Sequence, residues 1–111
     1  MMTKIHSASY QGIEAYPVEV EVDVSLGLPK FAIVGLPDQA VKESKERVRA
    51  AIKNSGFPSP KSKNHKIIIS LAPADLKKEG TLFDLPIAIA YLIAAGEVTA
   101  TIDDTLFLGE L

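Results

Sequence analysis

The stretch VEVEVDVS, residues 18–25, gives the clearest indication of the fold class. Four valines alternate there with acidic or polar residues. Because successive side chains of a β-strand point to opposite faces, the valines share one face and the acids the other. A strand of this kind is half-buried and is typical of antiparallel sheets with one face in the core. The stretch therefore predicts a half-buried strand in a largely antiparallel sheet.

Four further strands are predicted around this one. Residues 5–10 form a short strand that turns at Gln11-Gly12. Residues 31–34 follow a turn at residues 26–29, so this strand and the valine strand are expected to pair as a hairpin. Residues 66–71 contain three consecutive isoleucines, and such a run predicts burial on both faces. Residues 105–108 are predicted to start another strand.

Two helices are expected to pack against the sheet. The first spans residues 39–54, with Asp38 as its N-cap and Gly56 at the position that stops it. The second helix follows Asp84, which is expected to cap it. This helix is apolar on nearly all sides and ends at Gly96. The inner stripe of the first helix consists of Val41, Ser44, Val48, Ala51 and Ile52. The predicted fold class is α/β, of the α+β type, with a mixed, mostly antiparallel sheet.

Composition excludes several classes of protein. The 111 residues suffice for about one domain, and 47% hydrophobic with 23% charged residues are globular values. There is no cysteine, which excludes disulfides, thiol catalysis and thiolate metal sites. No apolar run is long enough for a transmembrane helix, and the first residues lack a signal-peptide pattern. We therefore expect a cytoplasmic protein with no membrane partner.

Charge is segregated along the chain. Eight basic and two acidic residues lie between Lys42 and Lys66, a net charge of +6, whereas the whole chain carries −2. Such a cationic segment is suited to contacts with DNA phosphates that do not read the bases. The alternative interpretation is that these side chains form a solvated helix face and loop without a ligand. The candidate DNA-contact residues are Lys42, Lys45, Arg49, Lys53, Lys61, Lys63 and Lys66.

The sequence contains no complete catalytic or metal site. It has no Walker A loop, so we expect no nucleotide cofactor in this chain. The two histidines lie far apart in the sequence, and the carboxylate pair Asp103-Asp104 is of a kind that is usually solvated, so no metal ligand set is predicted. Thr81, which lies near Lys77 and Lys78, is the candidate nucleophile, although these residue types are common in polar loops.

Several sequence blocks carry a family resemblance. They are GIEAYPVEVEV (12–22), GLP (27–29), IVGLPD (33–38), VKES (41–44), ERVRAAIKNSG (46–56), LAPADLKKEG (71–80), FDLPIA (83–88) and LFLGEL (106–111). Together they resemble the N-terminal domain of the magnesium-chelatase-like AAA+ ATPases, the YifB or ComM family. The resemblance covers nearly the whole chain.

The resemblance implies a ribosomal protein S5 domain 2-like fold, related to the Lon protease domain. It also implies a longer parent chain with an AAA+ module, which would bind ATP and Mg²⁺, and a C-terminal domain. Residues 1–111 would then be the N-terminal domain, truncated at its C-terminus and without the AAA+ module. The parent would be a hexameric, ATP-driven DNA branch-migration motor of natural transformation. The implied partners are the chain's own AAA+ module, neighbouring subunits and DNA.

The Lon-like pattern Lys-Asp-Gly-Pro-Ser-Ala-Gly is matched here by KEGTLFD, residues 78–84. Leu82 stands at the position of the serine nucleophile, and leucine cannot attack a carbonyl. The resemblance therefore implies a protease-like fold without proteolysis, and a non-catalytic accessory domain that contributes DNA contact, subunit assembly or both. The alternatives are a divergent Lon-like peptidase using Thr81, and an accessory domain of a metal chelatase.

Overall fold

A computed structural model describes residues 1–111, apart from the side chain of Gln11. Its elements are β1 (Met2–Gln11), β2 (Glu14–Leu26), β3 (Lys30–Val34), α1 (Gln39–Asn54), β4 (His65–Ala72) and α2 (Asp84–Ala94). The strands form one sheet in the order β1-β2-β4-β3. β1 and β4 are antiparallel to β2, and β3 is parallel to β4. The predicted α/β class, with a mostly antiparallel sheet and two helices, is confirmed.

β1 and β2 form a long hairpin that turns where the sequence predicts. Gln11 pairs with Glu14, so only Gly12 and Ile13 connect the strands. Gly12 has a φ of 60°, a conformation that costs glycine little. The four valines of β2 are buried, while Glu19 and Asp23 between them are exposed. The alternation in the sequence thus gives the burial of this strand correctly.

The predicted hairpin between β2 and β3 is wrong, because β4 lies between them. Val22 of β2 pairs with Ile69 of β4, and Ile69 pairs in turn with Ile33 of β3. β4 has eight residues and presents Ile67, Ile69 and Leu71 to the core, whereas β3 has only five residues. The longer strand buries more apolar surface against the valines, and burial of apolar area is the dominant favourable term.

Both helices lie on the same face of the sheet. One core contains the valines of β2, the inward isoleucines of β4 and the buried side chains of α1 and α2. Ile68 points to the other face and is only half-buried. The prediction that β4 is buried on both faces is therefore wrong: no helix of the described chain covers the second face, which we call the open face.

The ends of α1 follow the prediction, but the start of α2 does not. Asp38 caps α1, and its Oδ1 accepts a hydrogen bond from the backbone N–H of Val41 at 2.8 Å. Gly56, with a φ of 87°, follows the last turn. The N-cap of α2 is Phe83, without a side-chain cap bond, so the prediction that Asp84 caps this helix is wrong. The carboxylate of Asp84 instead binds a guanidinium group on α1.

Residues 105–108 do not form a regular strand. Leu106 makes one parallel bridge with His6 of β1, and the N–H of Phe107 donates to the carbonyl of His6 at 2.9 Å. Gly109 then bonds to the backbone at the start of α2. The predicted strand is thus reduced to a single bridge, which covers part of the outer edge of β1.

Candidate nucleic-acid interface

The predicted basic residues converge in part on one cleft. It lies between the start of β3, the second half of α1 and the loop before β4, and has a volume of about 580 Å³. That volume falls in the range of roughly 300–1,000 Å³ that is usual for ligand pockets. Its charged and titratable lining residues are Lys30, Glu46, Arg49, Lys53, Lys61 and His65. We call this feature the basic cleft.

Three of the seven predicted DNA-contact residues line the basic cleft, namely Arg49, Lys53 and Lys61. The other four are Lys42, Lys45, Lys63 and Lys66, and they lie on the surface outside it. Lys42 is about 16 Å from Lys53 along the axis of α1, given a rise of ~1.5 Å per residue. The structure therefore divides the predicted residues into three that line the cleft and four that lie on the surface outside it.

Lys30 is the lining cation that the sequence analysis missed. It is the first residue of β3 and pairs in register with Lys66 of β4. Only the parallel pairing of β3 with β4 brings Lys30 beside the basic segment, and the expected hairpin with β2 hid this neighbourhood. No local signal in the sequence marks Lys30 as part of a cationic site.

Arg49 is held against the wall of the cleft by two contacts. Its guanidinium carbon lies 5.1 Å from the ring centroid of Phe31, and its Nη1 lies 3.0 Å from Oε1 of Glu46. Each contact is worth roughly 0.5–1 kcal/mol at an exposed site. Phe31 is only 7% exposed, so its ring is not an open platform for base stacking. The cleft therefore suits phosphate groups better than stacked bases.

His65 joins the cleft to the second helix. Its Nδ1 lies 2.7 Å from the hydroxyl oxygen of Tyr91, and the two rings meet edge to face with centroids 5.8 Å apart. Burial, with a smaller contribution from Glu97, raises the pKa of the Tyr91 hydroxyl to about 12. The hydroxyl is therefore protonated at neutral pH. Nε2 is the ring nitrogen of His65 that remains available to a ligand.

Arg47 belongs to the fold rather than to the basic surface. Its Nε lies 2.6 Å from Oδ2 of the fully buried Asp84, and its Nη2 lies 3.0 Å from Oδ1 and 2.9 Å from the carbonyl oxygen of Ala40. The hydrogen bond with Asp84 raises the pKa of Arg47. One of the eight cations in the basic segment is thus engaged within the domain.

The Lon-like stretch does not form a threonine–lysine pair. Lys78 is buried, its amine donates to the carbonyl of Pro73, and burial lowers its pKa. The Nζ of Lys77 lies 3.7 Å from a carboxylate oxygen of Glu79 at the surface. Both amines therefore have other partners, and neither is hydrogen-bonded to the hydroxyl of Thr81 in the described chain.

Two features are absent from the part of the chain that the structure describes. No group of three His, Cys, Asp or Glu side chains there is close enough to hold a metal ion. No helix among these residues has the length and apolarity needed to cross a membrane. Leu82, which the resemblance to Lon predicts at the nucleophile position, is half-buried, and its carbonyl accepts a hydrogen bond from the N–H of Gly109 at 2.8 Å.

Comparison with known proteins identifies the family. Residues 20–111 match the family model described as subunit ChlI of Mg-chelatase, and the chain belongs to this Mg-chelatase-like family. It is 50% identical to YifB of Escherichia coli K12 over 108 residues, which are 96% of this chain and 21% of YifB. It is 45% identical to competence protein ComM of Haemophilus influenzae over 97 residues, 87% of this chain and 18% of ComM. The chain thus spans about a fifth of the length of these relatives, and the predicted family is confirmed.

Proposed function

We propose that this chain is a non-catalytic accessory domain of a magnesium-chelatase-like AAA+ ATPase and that it contacts DNA through the basic cleft. The observation that carries the proposal is the convergence of cations from three parts of the fold: Lys30 from β3, Arg49 and Lys53 from α1, and Lys61 from the loop before β4. ATP and Mg²⁺ would bind in the AAA+ module of the parent protein. One relative is named a competence protein, which fits a role in DNA branch migration during natural transformation.

The proposed contact works by charge neutralisation. Lysine and arginine side chains displace counterions from phosphates, so the affinity depends steeply on salt and little on base sequence. The ring of Phe31, which lines the cleft, is covered by Arg49 and is not open for stacking. Contact without sequence preference is what a motor needs if it moves along DNA of any sequence.

The middle of the open face is less suited to the same role. β2 places Glu19, Glu21 and Asp23 there, opposite the buried valines, with Lys4 of β1 across from Glu21 and Lys66 of β4 across from Ser25. Carboxylates repel phosphates at short range, so DNA approaching this face is disfavoured. The carboxylates of β2 therefore make the middle of this face less favourable for phosphates than the basic cleft.

A second role, contact with neighbouring subunits or with the AAA+ module, is favoured by apolar residues around β3. Leu28, Val34 and Leu36 are large hydrophobic residues that are 88%, 50% and 53% exposed. β3 is also an edge strand, with a ladder partner on one side only. Exposed apolar groups beside an unpaired strand edge are typical of protein–protein contact surfaces.

Fluorescence anisotropy with labelled single-stranded and branched DNA tests the proposal, at about 50 and 200 mM salt. The cleft variant is Arg49→Gln/Lys53→Gln/Lys61→Gln. The matched control, Lys42→Gln/Lys45→Gln/Lys63→Gln, removes the same charge from the same two elements outside the cleft. We expect salt-sensitive binding that the cleft variant weakens more than about tenfold, with a much smaller loss in the control. Equal losses, or no binding at low salt, would contradict the proposal.

A further inference from the structure

His65 stands out among the groups that line the basic cleft. The cleft presents Lys30 from β3, Arg49, Lys53 and Glu46 from α1, and Lys61 from the loop. Lys66 follows His65 on β4, and Tyr91 reaches it from α2, with Glu97 near that hydroxyl. Histidine is the residue type whose charge normally changes between about pH 5 and 8. The cleft therefore combines several fixed cations with one imidazole.

We infer that the basic cleft seats a single phosphate group and that His65 donates to it through Nε2, with binding favoured when the imidazole is protonated. The inference rests on the proposed DNA contact and specifies its ligand chemistry and its regulation. The ligand class is a phosphate oxyanion, such as one phosphodiester of single-stranded DNA.

The hydrogen bond with Tyr91 fixes which proton His65 offers to the cleft. When its hydroxyl donates to Nδ1, the neutral imidazole carries its hydrogen on Nε2, which can then donate to a phosphate oxygen. When a second proton binds at Nδ1, the hydroxyl can rotate and accept from it. In both states Nε2–H is a donor, and in the protonated state the hydrogen bond is charge-assisted.

The proton and the phosphate are cooperative ligands of the cleft. A phosphate that accepts from Nε2 places a negative charge beside the imidazole of His65 and favours the imidazolium. Binding must then take up protons, and by linkage the affinity must rise as the pH falls through the histidine range.

The first test measures the affinity for oligothymidylate at pH 6 and pH 8, at constant salt, for the native chain and for His65→Gln. Glutamine keeps an N–H donor but does not titrate. The native chain should bind about tenfold more tightly at pH 6, the value of one charge-assisted hydrogen bond. The variant should bind with little change between the two pH values.

An equal affinity of the native chain at both pH values, or a full pH dependence in the variant, overturns the inference while leaving the DNA contact standing. A complete lack of binding at both pH values overturns the proposed function instead.

The second test does not depend on DNA. The imidazole resonances of His65 and His6 are followed by NMR against pH, with and without inorganic sulfate, a phosphate-shaped dianion that does not titrate in this range. Sulfate should raise the pKa of His65 and leave that of His6, which lies on β1 outside the basic cleft, unchanged. Equal responses of the two histidines, or no response of His65, overturn the role assigned to it.

Discussion

Arg47 of α1 and Asp84 at the start of α2 form a two-point ion pair, with distances of 2.6 Å from Nε to Oδ2 and 3.0 Å from Nη2 to Oδ1. Oδ2 of Asp84 also accepts the N–H of Leu111 at 3.2 Å. Asp84 is fully buried, whereas the Arg47 side chain is 26% exposed. One carboxylate therefore links both helices and the C-terminal segment of the described chain.

Breaking this pair should destabilise the domain. Arg47→Met leaves a buried carboxylate without its cation, and the free energy of unfolding should fall by about 3 kcal/mol. The double variant Arg47→Met/Asp84→Leu should recover part of the loss, because the uncompensated charge is gone. Urea unfolding measures both effects. Glu46→Gln is the control, since the Glu46–Arg49 pair is exposed and its loss should cost less than about 1 kcal/mol. A loss in Arg47→Met no larger than in the control would contradict the assigned role of the pair.

Gly35 should not tolerate a side chain. Its φ is 110°, and an added Cβ would collide with the carbonyl oxygen of Leu71 on β4. Gly35→Ala therefore combines backbone strain with a clash against the central strand, and we expect a loss above about 4 kcal/mol, with no cooperative unfolding transition at 25 °C. Gly96→Ala is the matched comparison: its φ is 78° but no atom lies within 4 Å of the added Cβ, so a cost of about 1 kcal/mol is expected. Similar stabilities of the two variants in thermal unfolding would contradict the close approach of Gly35 to β4.

Alkaline pH should weaken the fold through Tyr91. Its hydroxyl has a pKa of about 12 in the folded chain, against the ordinary tyrosine value of 10.0 in an unfolded chain. Since the folded pKa is the higher one, this contribution to stability is complete below pH 10 and is lost as the pH rises from 10 to about 12. Tyr91→Phe should lose about 1 kcal/mol at neutral pH with the hydrogen bond to His65, and its stability should fall less over that window. Parallel stability curves for the two proteins between pH 9 and 12 would refute this contribution.

Locally encoded features of the fold are predictable from the sequence. The valine alternation gives the burial of β2, and Asp38 and Gly56 mark the two ends of α1, because capping and side-chain periodicity depend on near neighbours. The partner of Asp84 and the insertion of β4 between β2 and β3 depend on contacts between distant residues. The local sequence pattern does not determine which of several possible strand or ion pairings is the most stable.

The candidate site shows the same division. Arg49, Lys53 and Lys61 could be predicted as cations of one basic segment. Lys30 could not, because its place beside them follows from the parallel pairing of β3 with β4. The ion pair of Arg47 with Asp84 could not be predicted either, although Arg47 belongs to the same basic segment.

Glu46 should weaken the proposed DNA contact in the native chain. It lines the basic cleft, and its carboxylate lies 3.0 Å from the guanidinium group of Arg49. Glu46→Gln removes the negative charge and the competition for Arg49, so the affinity for single-stranded DNA should rise about two- to fivefold at low salt. Anisotropy titration measures the change, with Glu19→Gln on the open face as the control that should change it less. An unchanged or lower affinity of Glu46→Gln would place the contact away from the cleft.

An NMR titration of the ¹⁵N-labelled chain with oligothymidylate at low salt tests most sharply whether DNA binds in the basic cleft. We expect the largest amide shifts to cluster around Lys30, Lys53 and Lys61, and the amides of β2 around Glu21 on the open face to remain unshifted. Shifts centred on the open face, shifts spread evenly over all exposed lysines, or no shifts at saturating DNA would contradict the assignment of the basic cleft as the DNA-contact site.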